Sequence, residues 1–172
     1  MGHKRTTKSR IRIMWKDEIM SIATRQWIVS HPNTKFQNDS QKNDLLNSSA
    51  TKTELIAFLQ YMIQKKWIIE FTAICSDHHD DTPLCTAGPP YCGTHAKGWA
   101  VDCWPLNSPK AGDYIDAGDP RFQAFLSTAM HAPFYMQTGL GGSANSPINQ
   151  IAAGADWFPD SEADHVHFGT FQ

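Results

Sequence analysis

The sequence predicts an α+β domain in which a small, largely antiparallel sheet is backed by helices. Three observations carry this expectation. Residues 52–66 and the stretch after Asp119 place apolar side chains at helical spacing. Residues 68–75, 98–104 and 164–171 alternate with the period of two that marks strands. The chain has 172 residues, enough for one domain with a real core.

Composition narrows the class. A hydrophobic fraction of 41% and a charged fraction of 19% are ordinary for a soluble globular protein. No apolar run approaches the ~20 residues that span a bilayer. The N-terminal residues are basic, yet no apolar segment follows them, so no secretory signal is expected. The expected location is the cytoplasm, with release by another route such as lysis. Lys4, Arg5, Lys8, Arg10 and Arg12 concentrate positive charge at the start of a chain whose net charge is −2. They form either a solvated tail or an arm drawn to anionic polymer. The first dozen residues hold no aromatic to stack on bases, which disfavours nucleic acid.

In chain order, Ile11, Met14, Trp15, Ile19, Ile22, Ala23 and Trp27 lie close to helical spacing and predict a helix over about 15–29, ended by His31-Pro32. Residues 31–51 are rich in Asn, Ser, Asp, Gln and Lys and predict a long surface connection or a flap. Residues 1–50 are thus expected as basic tail, helix and connection, and 51–172 as the main domain. Thr51-Lys52-Thr53-Glu54 has the form of a capping box. It opens a helix over 52–66 with the stripe Leu55, Phe58, Leu59, Met62 and Ile63. The strand 68–75 runs into Ser76-Asp77-His78-His79-Asp80-Asp81, which is either an exposed polar turn or a site rim with room for a second cation.

Cys75, Cys85, Cys92 and Cys103 crowd the middle of the chain without Cys-x-x-Cys spacing, which argues against a structural zinc site. They are either free thiols or two disulfides; Cys85 with Cys92 would close a loop carrying Pro89 and Pro90. Asp119-Pro120 starts a helix with the core face Phe122, Phe125, Leu126, Ala129 and Met130. A strand over 134–138, a flexible Gly139-Leu140-Gly141-Gly142, a short helix over 146–153 and a final strand complete the order.

The chemistry concentrates in two places. In Thr94-His95-Ala96-Lys97-Gly98-Trp99-Ala100-Val101-Asp102, alternation puts Gly98, Ala100 and Asp102 on one face and Trp99, Val101 and Cys103 on the other. That face is bare at two positions and ends in a carboxylate, with His95 able to fold back over it. In Asp164-His165-Val166-His167-Phe168 the two histidines share a strand face. Together the two stretches supply His95, Asp102 and a histidine, a set that suits Zn²⁺ and leaves a coordination position open. Trp99, Trp104 and Trp157 wall the cleft or pack in the core.

The spacing His-x-x-Gly-x-Ala-x-Asp, followed by an Asp-x-x-His that is also a His-x-His, resembles the zinc D-Ala-D-Ala peptidase and Hedgehog-like family. Lysostaphin-type enzymes share its metal site, and many phage endolysins and bacterial cell-wall peptidases belong to the group; the resemblance implies His95, Asp102 and His167 as the expected metal ligands. The resemblance covers roughly residues 52–170; Gly93 stands where the family usually has Ser. It implies a zinc metallopeptidase, a carboxypeptidase or endopeptidase that hydrolyses an amide bond of the peptidoglycan stem peptide. Asp164, at the family's acidic position, is the expected general base, with His165 orienting water or stabilising the oxyanion. Strand alternation alone favours His165 as the base. The family's Arg at the end of the preceding strand has no counterpart, and Asp77, His78 and His79 occupy that region as expected substrate contacts, with Trp99. The rival expectation is a non-catalytic, metal-stabilised binding module of the same fold. A monomer with no membrane span is expected in either case.

Overall fold

The computed structural model describes residues 21–75, 95, 98–141, 159–160 and 165–170. Helix α1 covers 21–30 and ends at His31-Pro32, as expected; the Trp15 end of that helix lies outside the described residues. Its inward face departs from the expected one. Ile22 and Ala23 are exposed, whereas Arg25 and Ile28 are buried. Arg25 turns inward because acceptors wait for it there. Its guanidinium donates to the carbonyls of Leu45 (2.8 Å) and Thr51 (2.6 Å), to the Thr51 hydroxyl and to Ser21 Oγ (3.2 Å). Burial lowers its pKa, and the hydrogen bonds offset the cost of taking the charge out of water.

The polar stretch 31–51 is not a plain connection. It contains strand β1 (Thr34–Phe36) and helix α2 (Asp39–Leu46). The helix is started by Asn38, whose side chain accepts from Ser40 N at 2.9 Å while Gln41 Oε1 accepts from Asn38 N at 3.2 Å. This reciprocal cap is the motif expected at Thr51-Glu54, moved to Asn38-Gln41. Helix α3 (Thr53–Gln64) starts after Lys52 with no side-chain cap. Thr51 cannot serve it, because its hydroxyl is engaged with Arg25 and with the Asp44 carbonyl at 3.0 Å.

The remaining elements are β2 (Ile69–Ala73), β3 (Ala100–Pro105), α4 (Pro120–Met130), β4 (Tyr135–Gly141), β5 (Pro159–Asp160) and β6 (Val166–Thr170). Among the described residues they complete a six-stranded sheet of order β1-β2-β3-β6-β4-β5. The α+β class holds, but the sheet is mixed: β2, β3, β6 and β4 are antiparallel neighbours, and β1 and β5 add parallel edges. Gly139 to Gly141, expected as a flexible run, extend β4, with Gly139 opposite His167 and Leu140 opposite Val166. Ser146 to Ala153 and Trp157 lie outside the described residues.

Helix α4 begins as the Asp-Pro pair predicts, with the Asp119 carboxylate accepting from Arg121 N at 2.8 Å. Phe122, Phe125, Leu126 and Ala129 are buried, but Met130 is exposed, because Ala129 takes the inward position of the last turn. Phe168 of β6 meets Phe58 of α3 and Phe125 of α4 at ring-centroid distances of 5.3 and 5.6 Å. Ile28 and Leu45 join the same buried cluster as these rings. Trp104 is a core residue, 5.0 Å from Phe122, with its indole N–H donating to the Ile115 carbonyl. Among the described residues no helix is long and apolar enough to cross a membrane.

Candidate metal centre

The site is laid out by strand register. Asp102 of β3 pairs with His167 of β6 on one side and with Ala73 of β2 on the other, and Gly139 of β4 lies beyond His167. One step along, Ala100 pairs with Gly169. Asp102 and His167 therefore stand in a row whose neighbours on that face are Ala73, Ala100, Gly139 and Gly169, all with little or no side chain. Ala73 reaches this face through a register shift between Phe71 and Ala73, which breaks the simple alternation expected for the strand.

Gly98 does something different from what alternation implies. It lies before the strand at φ +74°, a left-handed conformation that favours glycine, and a Cβ there would lie 2.0 Å from the Ala50 carbonyl oxygen. It is bare to admit a backbone, and does not form part of the floor under the ligands. Gly98 N donates to His95 O at 2.8 Å, and its own carbonyl accepts from Lys52 N at 2.9 Å.

His95 is folded over Asp102, as expected. Its Nδ1 lies 2.6 Å from the Ile74 carbonyl oxygen. A carbonyl can only accept, so Nδ1 carries a proton, and when the ring is neutral the Nε2 lone pair turns inward. Nε2 lies 3.0 Å from Asp102 Oδ1 and 3.1 Å from His167 Nδ1, and His167 Nδ1 lies 2.9 Å from the same Oδ1. Asp102 Oδ1, His95 Nε2 and His167 Nδ1 thus meet in one small triangle, in which His167 Nδ1 either donates its proton to the carboxylate or, in the other tautomer, turns its lone pair inward. In that second tautomer three lone pairs converge, as binding of a cation requires. The three residues form a group able to hold a metal ion, with all ligand atoms within 4.8 Å of one another.

No protein-family model matches this chain, and neither does any curated protein or solved structure. The site therefore has to be read from its own geometry. Asp102 is 1% exposed and His95 8%. The His167 side chain, at 14%, is the most accessible of the three and marks the side on which solvent or a ligand can approach. His165 shares the strand face of His167, buried, with Nε2 3.6 Å from Asp102 Oδ2. This is beyond hydrogen-bond range but close enough for electrostatic contact. Cys103 points to the other face, where burial pushes its thiol well up and the Asp102 charge adds to the shift. It is a protonated core side chain.

Of the other expected site residues, Asp164, Asp77, His78 and His79 lie outside the described residues, as do Cys85 and Cys92. Trp99 is half-buried at the entry to β3, and its carbonyl accepts from both N and Oγ1 of Thr170 at 2.8 Å. Sequence reasoning missed the Ile74 carbonyl, which no side-chain pattern can reveal. It also missed Gly139 and Gly169, although Gly169, two residues after His167, was open to the same alternation that placed Ala100 beside Asp102.

Proposed function

We propose that the centre binds Zn²⁺ through His95 Nε2, Asp102 Oδ1 and His167 Nδ1, and that the protein is a zinc peptidase acting on peptidoglycan stem peptides. The observation that carries the metal half is the close triangle of His95 Nε2, Asp102 Oδ1 and His167 Nδ1, with the His95 proton placed on Nδ1 by the Ile74 carbonyl. Its sides of 2.9 to 3.1 Å are close to the separation of about 3.3 Å that bonds of ~2.0–2.1 Å impose on tetrahedral ligands. A backbone carbonyl on the outer nitrogen of a ligand histidine is the usual partner that orients such a ring. The peptidase half rests on the resemblance of the two spaced motifs to the D-Ala-D-Ala peptidase and Hedgehog-like family.

Zinc held by three protein ligands supplies a Lewis acid and an activated water at neutral pH. The chain's own residues do the rest. Asp164, three residues before His167, takes the proton of the attacking water and returns it to the leaving amine. His165, packed against Asp102 Oδ2, holds that ligand in place. The bare floor of Ala73, Ala100, Gly139 and Gly169 keeps large side chains away from the ligands.

The second reading, a metal-stabilised binding module, draws support from the enclosure of His95 and Asp102. Incubating the zinc-loaded protein with purified muropeptides and weighing the products separates the two. A new amine and carboxylate terminus is expected. Asp164→Ala should keep zinc and lose ~10²–10⁴-fold in turnover, with His165→Ala less impaired. Wild type that binds the muropeptide and cuts none of it sinks the peptidase reading in favour of the module. Full turnover by Asp164→Ala assigns the base elsewhere.

A further inference from the structure

His95 is the one ligand of the three that does not stand on a strand, and its position is set by two handles. The ring is held through the Ile74 carbonyl and the backbone through the turn to Gly98. Both handles are gripped by the same piece of chain. Asp44 Oδ2 accepts from Cys75 N at 2.9 Å, next to Ile74. Lys52 N donates to the Gly98 carbonyl, and the Ala50 carbonyl fills the space that a side chain at 98 would need. Segment 44–52 therefore contacts the supports of His95 at both ends.

That segment is in turn locked by one buried side chain. The Arg25 guanidinium reaches the carbonyls of Leu45 and Thr51 and the Thr51 hydroxyl, and the hydroxyl closes the segment by donating to the Asp44 carbonyl at 3.0 Å. Arg25 is 1% exposed. A planar fork is suited to hold several carbonyls in a fixed relation, which a single ammonium is not.

We infer that Arg25, through segment 44–52, is a positioning residue for the His95 ligand and so sets the affinity of the centre for its metal. The inference rests on the zinc reading above. Metal affinity is sensitive to such supports, because ligand atoms must be placed to within about 0.2 Å, and losing an outer partner typically costs 10–100-fold. Nothing in the Arg25 contacts touches Asp102 or His167, so the effect runs through one ligand alone.

The test uses the full chain carrying Arg25→Met, Arg25→Lys or Thr51→Val, beside the core variant Phe125→Leu as a stability control. Zinc Kd is measured by competition with a chelator at a temperature where each protein is folded by circular dichroism. Absorption of the cobalt-substituted forms reports ligand geometry. Arg25→Met and Thr51→Val should raise the zinc Kd about tenfold or more and alter the cobalt bands. Arg25→Lys should fall between them and wild type, and Phe125→Leu should keep wild-type affinity despite its lower Tm. Affinities of Arg25→Met no worse than the control overturn the inference while leaving the zinc reading intact. Should Arg25→Met not fold, Thr51→Val decides by the same criterion. Wild type that takes up no zinc overturns the metal reading, and this inference with it.

Discussion

The two faces of strands β3 and β6 divide the work of the molecule. On one face Asp102 and His167 stand among Ala73, Ala100, Gly139 and Gly169. On the other, Val101, Cys103, Val166 and Phe168 are fully packed against the core, with Phe168 between the rings of α3 and α4. Adjacent residues such as His167 and Phe168 thus belong to different problems. The core face buries large apolar area, at roughly 25 cal/mol per Å². The site face forgoes most of that gain to place a buried carboxylate against two imidazoles.

The division can be broken by experiment. The largest expected effect is on the site face. Asp102→Ala should take zinc content from about one per chain to none, by the single-site argument, and abolish turnover. Its metal-free Tm should fall less than that of a core truncation, because no apolar packing is removed with the carboxylate. A metal-free Tm that falls as far as that of a core truncation would show that the faces are not separable. Next comes Phe168→Ala, which should cost ~3–5 kcal/mol in denaturant unfolding while the folded fraction keeps its zinc. Loss of metal from that folded fraction would show that the core face also sets ligand geometry.

A smaller effect sharpens the same contrast at α4, a core-side helix. Arg121, through its side chain first and its backbone N–H second, holds the Asp119 carboxyl below the ordinary carboxylate range. A lowered folded pKa contributes stability above the unfolded value of about 3.9, and that contribution fades as pH falls below it. Asp119→Ala should therefore lower Tm modestly at neutral pH, by a difference that shrinks on acidification, with no change in zinc affinity at neutral pH. A Tm difference independent of pH would show that the charge of the cap is not what matters.

How much of this was legible beforehand depends on how local the signal is. Helices α3 and α4 followed from apolar spacing and, for α4, from Asp119-Pro120. The triad followed from two motifs whose residues carry their chemistry in their side chains. Alternation in β3 and β6 placed Asp102 and His167 on one face, and the short spacing before β3 let His95 fold back over them. What escaped was settled by distant partners. Arg25 has no place in the apolar spacing that predicts its helix, and only the carbonyls of Leu45 and Thr51 explain its burial. Thr51 reads as a helix cap until Arg25 claims its hydroxyl. Gly98 reads as empty space for a ligand, yet its emptiness is filled by Ala50. The stretch 31–51 looks too polar for structure, because β1 is short and α2 depends on the cap Asn38-Gln41 more than on apolar burial. The Phe71–Ala73 register shift has no signature in residue type at all.

The position of β6 has a consequence for how the protein is made. This strand lies in the middle of the sheet, between β3 and β4, although His167 follows Asp102 by 65 residues. A chain under synthesis exposes His95 and Asp102 long before His167 exists, so it carries a half-built ligand set on a strand whose edge is still open. Closing that long excursion is the slow, entropically costly step expected of distant strand pairing. The candidate centre is therefore complete only when β6 slots in. Under the zinc reading proposed above, acquiring the ion and completing the sheet become a single event in the life of the chain.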